Sequence, residues 1–119
     1  STDWRGGLSA QARRNVADWI HAHPAENPTL GQLALLAGLS EFHFARMFRV
    51  SFGMAPHAWV MRSRLDRGRS LLGDGRLSLQ QVAMRAGFAS ASHFSNRFRA
   101  AYGVTPGQWR TAAGISARL

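Results

Sequence analysis

The sequence predicts an all-α chain built as a double helix-turn-helix, two such subdomains joined by a long linker helix. Three observations predict it. The stretch Ser40–Gly53, SEFHFARMFRVSFG, returns as Ser90–Gly103, SASHFSNRFRAAYG. Each copy follows a short apolar segment that opens on a hydroxyl residue and closes on glycine, Thr29 to Gly38 and Ser78 to Gly87. Apolar residues recur at helical spacing, and no stretch reads convincingly as a strand.

Residues 1–8 read as a flexible lead-in. Ser9 suits an N-cap for a helix from about 10 to 21, with Ala12, Val16, Trp19 and Ile20 on one apolar face. Pro24, Asn27 and Pro28 break it and make a loop. Thr29 opens the next helix, and Gln32 completes a capping box. Leu30, Leu33, Ala34 and Ala37 form its expected buried face. Gly38 stops it, because a tight C-cap requires the left-handed conformation. Ser40 then caps the helix up to Gly53, completing a helix, a glycine turn and a second helix.

Pro56 suits the first turn of a longer helix to Leu72. Trp59, Leu65, Leu71 and Leu72 are its apolar members, and Arg62, Arg64, Arg67 and Arg69 take the rest. Gly68 inside it costs about 1 kcal/mol relative to alanine, so tight packing against another helix is expected there. Gly73-Asp74-Gly75 is a turn. Ser78 and Gln81 form a second capping box, with Leu79, Val82, Ala83 and Ala86 expected inside. A further amphipathic helix covers about 91–101, and Thr105-Pro106 opens the last, through Trp109 to about 113. The organisation is therefore a first helix-turn-helix subdomain over 9–55, a linker helix over 56–73, a second subdomain over 74–113 and a tail over 114–119.

The repeat aligns 29–40 with 78–89 and 43–59 with 93–109, with one extra residue in the second turn. The identical pairs include Gln32/Gln81, Gly38/Gly87, Phe44/Phe94, Phe48/Phe98, Arg49/Arg99 and Trp59/Trp109. Shared composition does not produce that order. Solenoid repeats are the alternative, but two copies joined by a long helix are too few.

Charge points to the partner. The net charge is +9 in 119 residues, and all fifteen basic residues are arginine. Such a field favours an anionic partner, nucleic acid or an acidic membrane surface, and arginine makes bidentate contacts that lysine cannot. Arginine-favouring codons in a GC-rich genome would produce the same bias. No apolar run reaches membrane-spanning length, no cysteine is present, and a cytoplasmic location is expected. The start at Ser1 with Gly6-Gly7 behind it reads as a cut through a linker of a longer protein.

On a wheel of about 100° per residue, Phe44, Met47, Phe48 and Ser51 face inward in the first copy. Phe42, Arg46 and Arg49 lie opposite, flanked by Ala45. In the second copy Phe94, Phe98 and Ala101 face inward. Ser92, Asn96 and Arg99 lie opposite, flanked by Ser95. These outward sets have major-groove chemistry: arginine pairs with guanine, asparagine with adenine, serine adapts, and an apolar group meets a thymine methyl. Arg46 and Asn96 are the leading base readers. Arg49, Arg99 and Arg62 are assigned to phosphate, with a plain solvated helix face as the alternative. His43 and His93 sit at the flank, where packing or backbone hydrogen bonding is expected. Catalysis is poorly supported. The histidines lack ligand spacing, no HExxH occurs, and the six acids form no pair. No metal or cofactor is expected.

These residues resemble the DNA-binding domain of the AraC/XylS family of bacterial transcription regulators. The matching stretches are LGQLALLAGLSEFHFARMFRVSFGMAPHAWV and LSLQQVAMRAGFASASHFSNRFRAAYGVTPGQWR, and the resemblance covers about 9–113. It implies a seven-helix fold whose third helix in each subdomain enters the major groove. It implies base contacts from Phe42, Ala45 and Arg46, then Ser92, His93, Ser95 and Asn96, which brings His93 nearer the DNA than the wheel does. Gly68 departs from the alanine common in such regulators. Double-stranded DNA is the implied partner, RNA polymerase a second, and an effector or dimerisation domain is expected elsewhere in the full-length chain, with this domain monomeric. A basic RNA-binding module is the rival reading, but Phe42 is its one clear exposed stacking platform.

Overall fold

The computed structural model describes residues 7–23 and 26–115. Among the described residues there are seven helices and no strand: α1 (Ala10–Ala22), α2 (Leu30–Ala37), α3 (Glu41–Phe52), α4 (Pro56–Leu71), α5 (Leu79–Arg85), α6 (Ala91–Tyr102) and α7 (Pro106–Ala112). They divide into two compact units, with the boundary inside α4 between Met61 and Arg62. The first six residues of the lead-in, Pro24 of the predicted loop and the last four of the tail lie outside the described residues.

The caps form as the sequence predicts. Ser9 accepts from the Ala12 N–H. Thr29/Gln32, Ser78/Gln81 and Thr105/Gln108 close full capping boxes. Each box satisfies two N–H groups that a helix start leaves without an intrahelical partner. The two helix-turn-helix turns begin identically. Gly38 and Gly87 take φ of 70° and 95°, and the following N–H, of Leu39 or Phe88, reaches back to the carbonyl of Ala34 or Ala83 at 3.0 and 2.9 Å. The N-caps Ser40 and Ser90 are equivalent, so the extra residue is Ala89, after that shared hydrogen bond, and the sequence pairing of Ser40 with Ala89 shifts by one.

In the first unit Val16, Ile20, Leu33, Ala34, Phe44, Phe48 and Val60 form the core, with Trp59 half-buried against it. Leu8 belongs to this core and not to a lead-in: it is buried, and its N–H donates to Ser51 Oγ at 2.7 Å. In the second unit Leu65, Leu72, Val82, Ala83, Phe88, Phe94 and Phe98 are buried. Gly68 is packed as its place in the helix demands: a Cβ there would lie 2.5 and 2.7 Å from two ring carbons of Phe94.

The duplication is larger than the sequence alignment. Asn15 on α1 donates from Nδ2 to the Leu36 carbonyl at 3.3 Å. Arg67 on α4 donates from Nε to the Arg85 carbonyl at 3.1 Å. The two carbonyls are equivalent positions of α2 and α5. The buried stripe Ala12, Val16, Ile20 on α1 corresponds in the same way to Arg64 and Gly68 on α4 and Leu72 just past its end. Each helix-turn-helix therefore carries its own supporting helix, α1 or α4.

Several expectations are corrected. Leu30 and Leu79, each the first residue of its helix, stay 37% and 36% exposed rather than buried. Ala101 is exposed, and Tyr102 closes the inner face instead, its ring 4.6 Å from Phe98. Arg64 is not on the outer face of α4: it is buried, since it shares the i, i+4, i+8 stripe of Gly68 and Leu72.

Candidate nucleic-acid interface

Helix α3 is pinned at both ends. Ser40 Oγ accepts the His43 N–H at 3.2 Å, and Gly53 donates its N–H to the Arg49 carbonyl at 2.8 Å. Its inner face is aromatic. Phe44 and Phe48 are fully buried, and the Phe48 ring stacks on Phe52 at 4.2 Å. That anchoring fixes the helix's rotation and turns the other face outward. Phe42 is 78% exposed there, and Arg46 and Arg49 are exposed beside it. Ala45 is half-buried at the edge. These four join Val50, Ala55 and Pro56 around an open depression of about 480 Å³. Val50, 56% exposed, is a member the sequence reading passed over. The signal was present: Phe42, Arg46 and Val50 are spaced i, i+4, i+8 on one stripe.

Helix α6 repeats the frame with different outward residues. Ser90 Oγ accepts the His93 N–H at 3.1 Å, and Gly103 closes on the Arg99 carbonyl at 2.8 Å. Phe94 and Phe98 are fully buried, with rings 5.5 Å apart and close to edge-on. Ser92, Asn96 and Arg99 are exposed on the opposite face, and Ser95 is half-buried beside them. His93 is exposed, and its ring meets Phe88 edge-on at 5.4 Å, a packing contact of the kind the wheel suggests. His43 is exposed.

The arginines of α4 separate into different roles. Arg62 is exposed. Arg67 is spent on the Arg85 carbonyl. Arg69 pairs with Asp66 at 3.7 Å and lies over the Tyr102 ring, 4.9 Å from its centre. Tyr102 donates its hydroxyl proton to Asp66 at 2.5 Å. Partial burial, then this hydrogen bond, push the phenol up to about 12. At the turn after α4, the Arg76 side chain hydrogen-bonds to the Asp74 carboxylate and holds it below the ordinary carboxylate range. Among the described residues no group of three or more His, Asp or Glu side chains is placed to hold a metal, and no helix is long and apolar enough to cross a membrane.

What this arrangement can do chemically is recognise anionic, edge-displaying surfaces. Two rigid helices each present a narrow strip of hydrogen-bonding groups with arginine beside it. Comparison with known proteins agrees with that chemistry. A family model described as a helix-turn-helix domain matches residues 33–112. The probable transcriptional regulator LumQ of Photobacterium leiognathi is 33% identical over 77 residues, 65% of this chain and 31% of LumQ. The virulence regulon transcriptional activator VirF of Yersinia enterocolitica is 35% identical over 63 residues, 53% of this chain and 23% of VirF. The chain thus spans less than a third of the length of either curated relative. Among solved structures, the DNA-binding domain of the global transcriptional factor AdpA, in complex with a target DNA, superposes with a TM-score of 0.79 at 32% identity, covering 87% of this chain and 93% of that one. An AraC-type regulator from Chromobacterium violaceum gives a TM-score of 0.76 at 27% identity, covering 84% and 89%.

Proposed function

The chain belongs to the AraC/XylS family of helix-turn-helix domains, and on that premise we propose that it is the sequence-specific duplex-DNA-binding part of a bacterial transcription regulator. Helices α3 and α6 are the reading elements, entering successive major grooves about 34 Å apart. Phe42, Ala45 and Arg46 contact base edges from α3, and Ser92, His93, Ser95 and Asn96 do so from α6. Arg49, Arg99 and Arg62 contact phosphate. One chain then does what a helix-turn-helix dimer usually does, acting as a monomer on DNA. RNA polymerase and a separate effector or dimerisation domain complete the functional context of the full-length regulator.

The observation that carries this reading is the contrast between frame and face. The two helices share caps, buried phenylalanines and closing glycines, yet they expose different side chains. Identical frames orient the reading strips; different strips predict an asymmetric DNA site. Hydroxyl-radical footprinting on a bound duplex tests it. Two protected segments on one face, one turn apart, support the reading, and a single protected segment sinks the two-helix mode.

A further inference from the structure

The junction between the paired helices is filled from opposite sides in the two copies. In the first, the second residue of α2 is Gly31 and α3 starts on Glu41. The Glu41 carboxylate lies over the first turn of α2: Oε2 is 3.5 Å and Cδ 3.7 Å from the point where Gly31 would carry a Cβ. In the second, the equivalent residues are Gln80 and Ala91. The side chain crosses the other way, and Gln80 Oε1 accepts the Ala91 N–H at 3.2 Å. One junction presents a full negative charge, the other a neutral carboxamide. Glu41 is also the one acidic residue in α2, α3, α5 and α6.

Charge of that sign at that place has a consequence. The first helix of a helix-turn-helix crosses the DNA backbone, and a helix N-terminus is favourable ground for phosphate. A carboxylate resting on the start of α2 satisfies the same partial charge and repels a phosphate approaching it. Resting on the DNA-binding role proposed above, we propose that Glu41 is an electrostatic brake on the first copy. It lowers the phosphate-driven affinity of α2 and α3, so the second copy supplies the larger share of salt-dependent binding. The first copy then adds affinity mainly where its base contacts are made.

The test uses the whole chain and a selected duplex beside a random one, titrated over a range of salt. Glu41→Gln is expected to raise affinity about three- to tenfold on both duplexes at low salt and to steepen the salt slope by about one unit. The double variant Gly31→Gln with Glu41→Ala transplants the second copy's arrangement and should bind like Glu41→Gln. The reverse change, Ala91→Glu, should weaken binding to both duplexes and flatten the slope. Unchanged affinity and slope in folded Glu41→Gln, while the wild type binds DNA, overturns the brake and leaves the DNA-binding reading intact. Weaker binding confined to sites with one particular cytosine makes Glu41 a base reader and also overturns it. A wild type that binds no duplex removes the DNA-binding reading itself.

Discussion

The buried guanidinium of Arg110 donates from Nε to the Leu72 carbonyl at 3.0 Å and from Nη2 to the Asp74 carbonyl at 2.9 Å. This ties α7 to the turn that follows α4, at the Leu72 carbonyl and at an Asp74 carbonyl that also accepts the Leu77 N–H at 3.1 Å. The repeat places Val60 at the equivalent position of the first copy, equally buried. A buried apolar contact in one copy is thus a buried charged clamp in the other.

Arg110→Met keeps the aliphatic bulk and removes both charge-assisted hydrogen bonds. It should cost about 2–3 kcal/mol, read as a fall in melting temperature of roughly 10 °C. Val60→Met, which removes no hydrogen bond, should cost about 1 kcal/mol. Equal losses in thermal unfolding would mean that the clamp adds nothing beyond packing.

Gly68→Ala sets two effects against each other. Alanine favours the helix by about 1 kcal/mol, but its Cβ would stand 2.5 Å from the Phe94 ring, which is fully buried on α6. Overpacking of that kind costs about 1–3 kcal/mol, so the net change should be destabilising. Adding Phe94→Leu should recover part of the loss. Denaturant midpoints of the single and double variants give the coupling directly.

Tyr102 is the one tyrosine of the chain, so alkaline absorbance titrates it without overlap from another phenol. Its midpoint should lie at about 12 in the folded protein and near 10, the ordinary value, in denaturant. Below pH 10 both states keep the proton, and the hydrogen bond to Asp66 contributes its full stability. Between 10 and 12 the unfolded state ionises first, so stability should fall as pH rises. A folded-state midpoint at the ordinary phenol value would contradict the Asp66 hydrogen bond.

Arg46→Ala should cost about 1–3 kcal/mol of DNA affinity on a selected site and relax preference at one base position. Arg62→Ala should weaken all duplexes alike and reduce the salt slope by about one unit. Competition binding on selected and random duplexes distinguishes them. Equal loss on both duplexes for Arg46→Ala would remove it from the base readers.

Helix order, caps and both aromatic inner faces are legible in the sequence because local rules govern them: a hydroxyl before an apolar run, glycine after it, phenylalanines four apart. The outward strips follow from the same periodicity once the inner face is known. Arg64, Arg67 and Arg110 are not legible, because arginine looks solvated until a tertiary partner appears. Arg67 finds the Arg85 carbonyl and Arg110 those of Leu72 and Asp74, while Arg64 lies on the stripe of a glycine that lets another helix close in. The correspondence of α1 with α4 is hidden for a similar reason. Its equivalent positions, Val16 with Gly68 and Asn15 with Arg67, share geometry and not residue type.

Selection of binding sites from random duplex DNA tests the central claim most directly. An asymmetric consensus in two segments about one helical turn, roughly 34 Å, apart is expected, with one segment losing a preferred base in Arg46→Ala and the other losing one in Asn96→Ala. A palindromic consensus, a single segment, or no enrichment over the starting pool would contradict it.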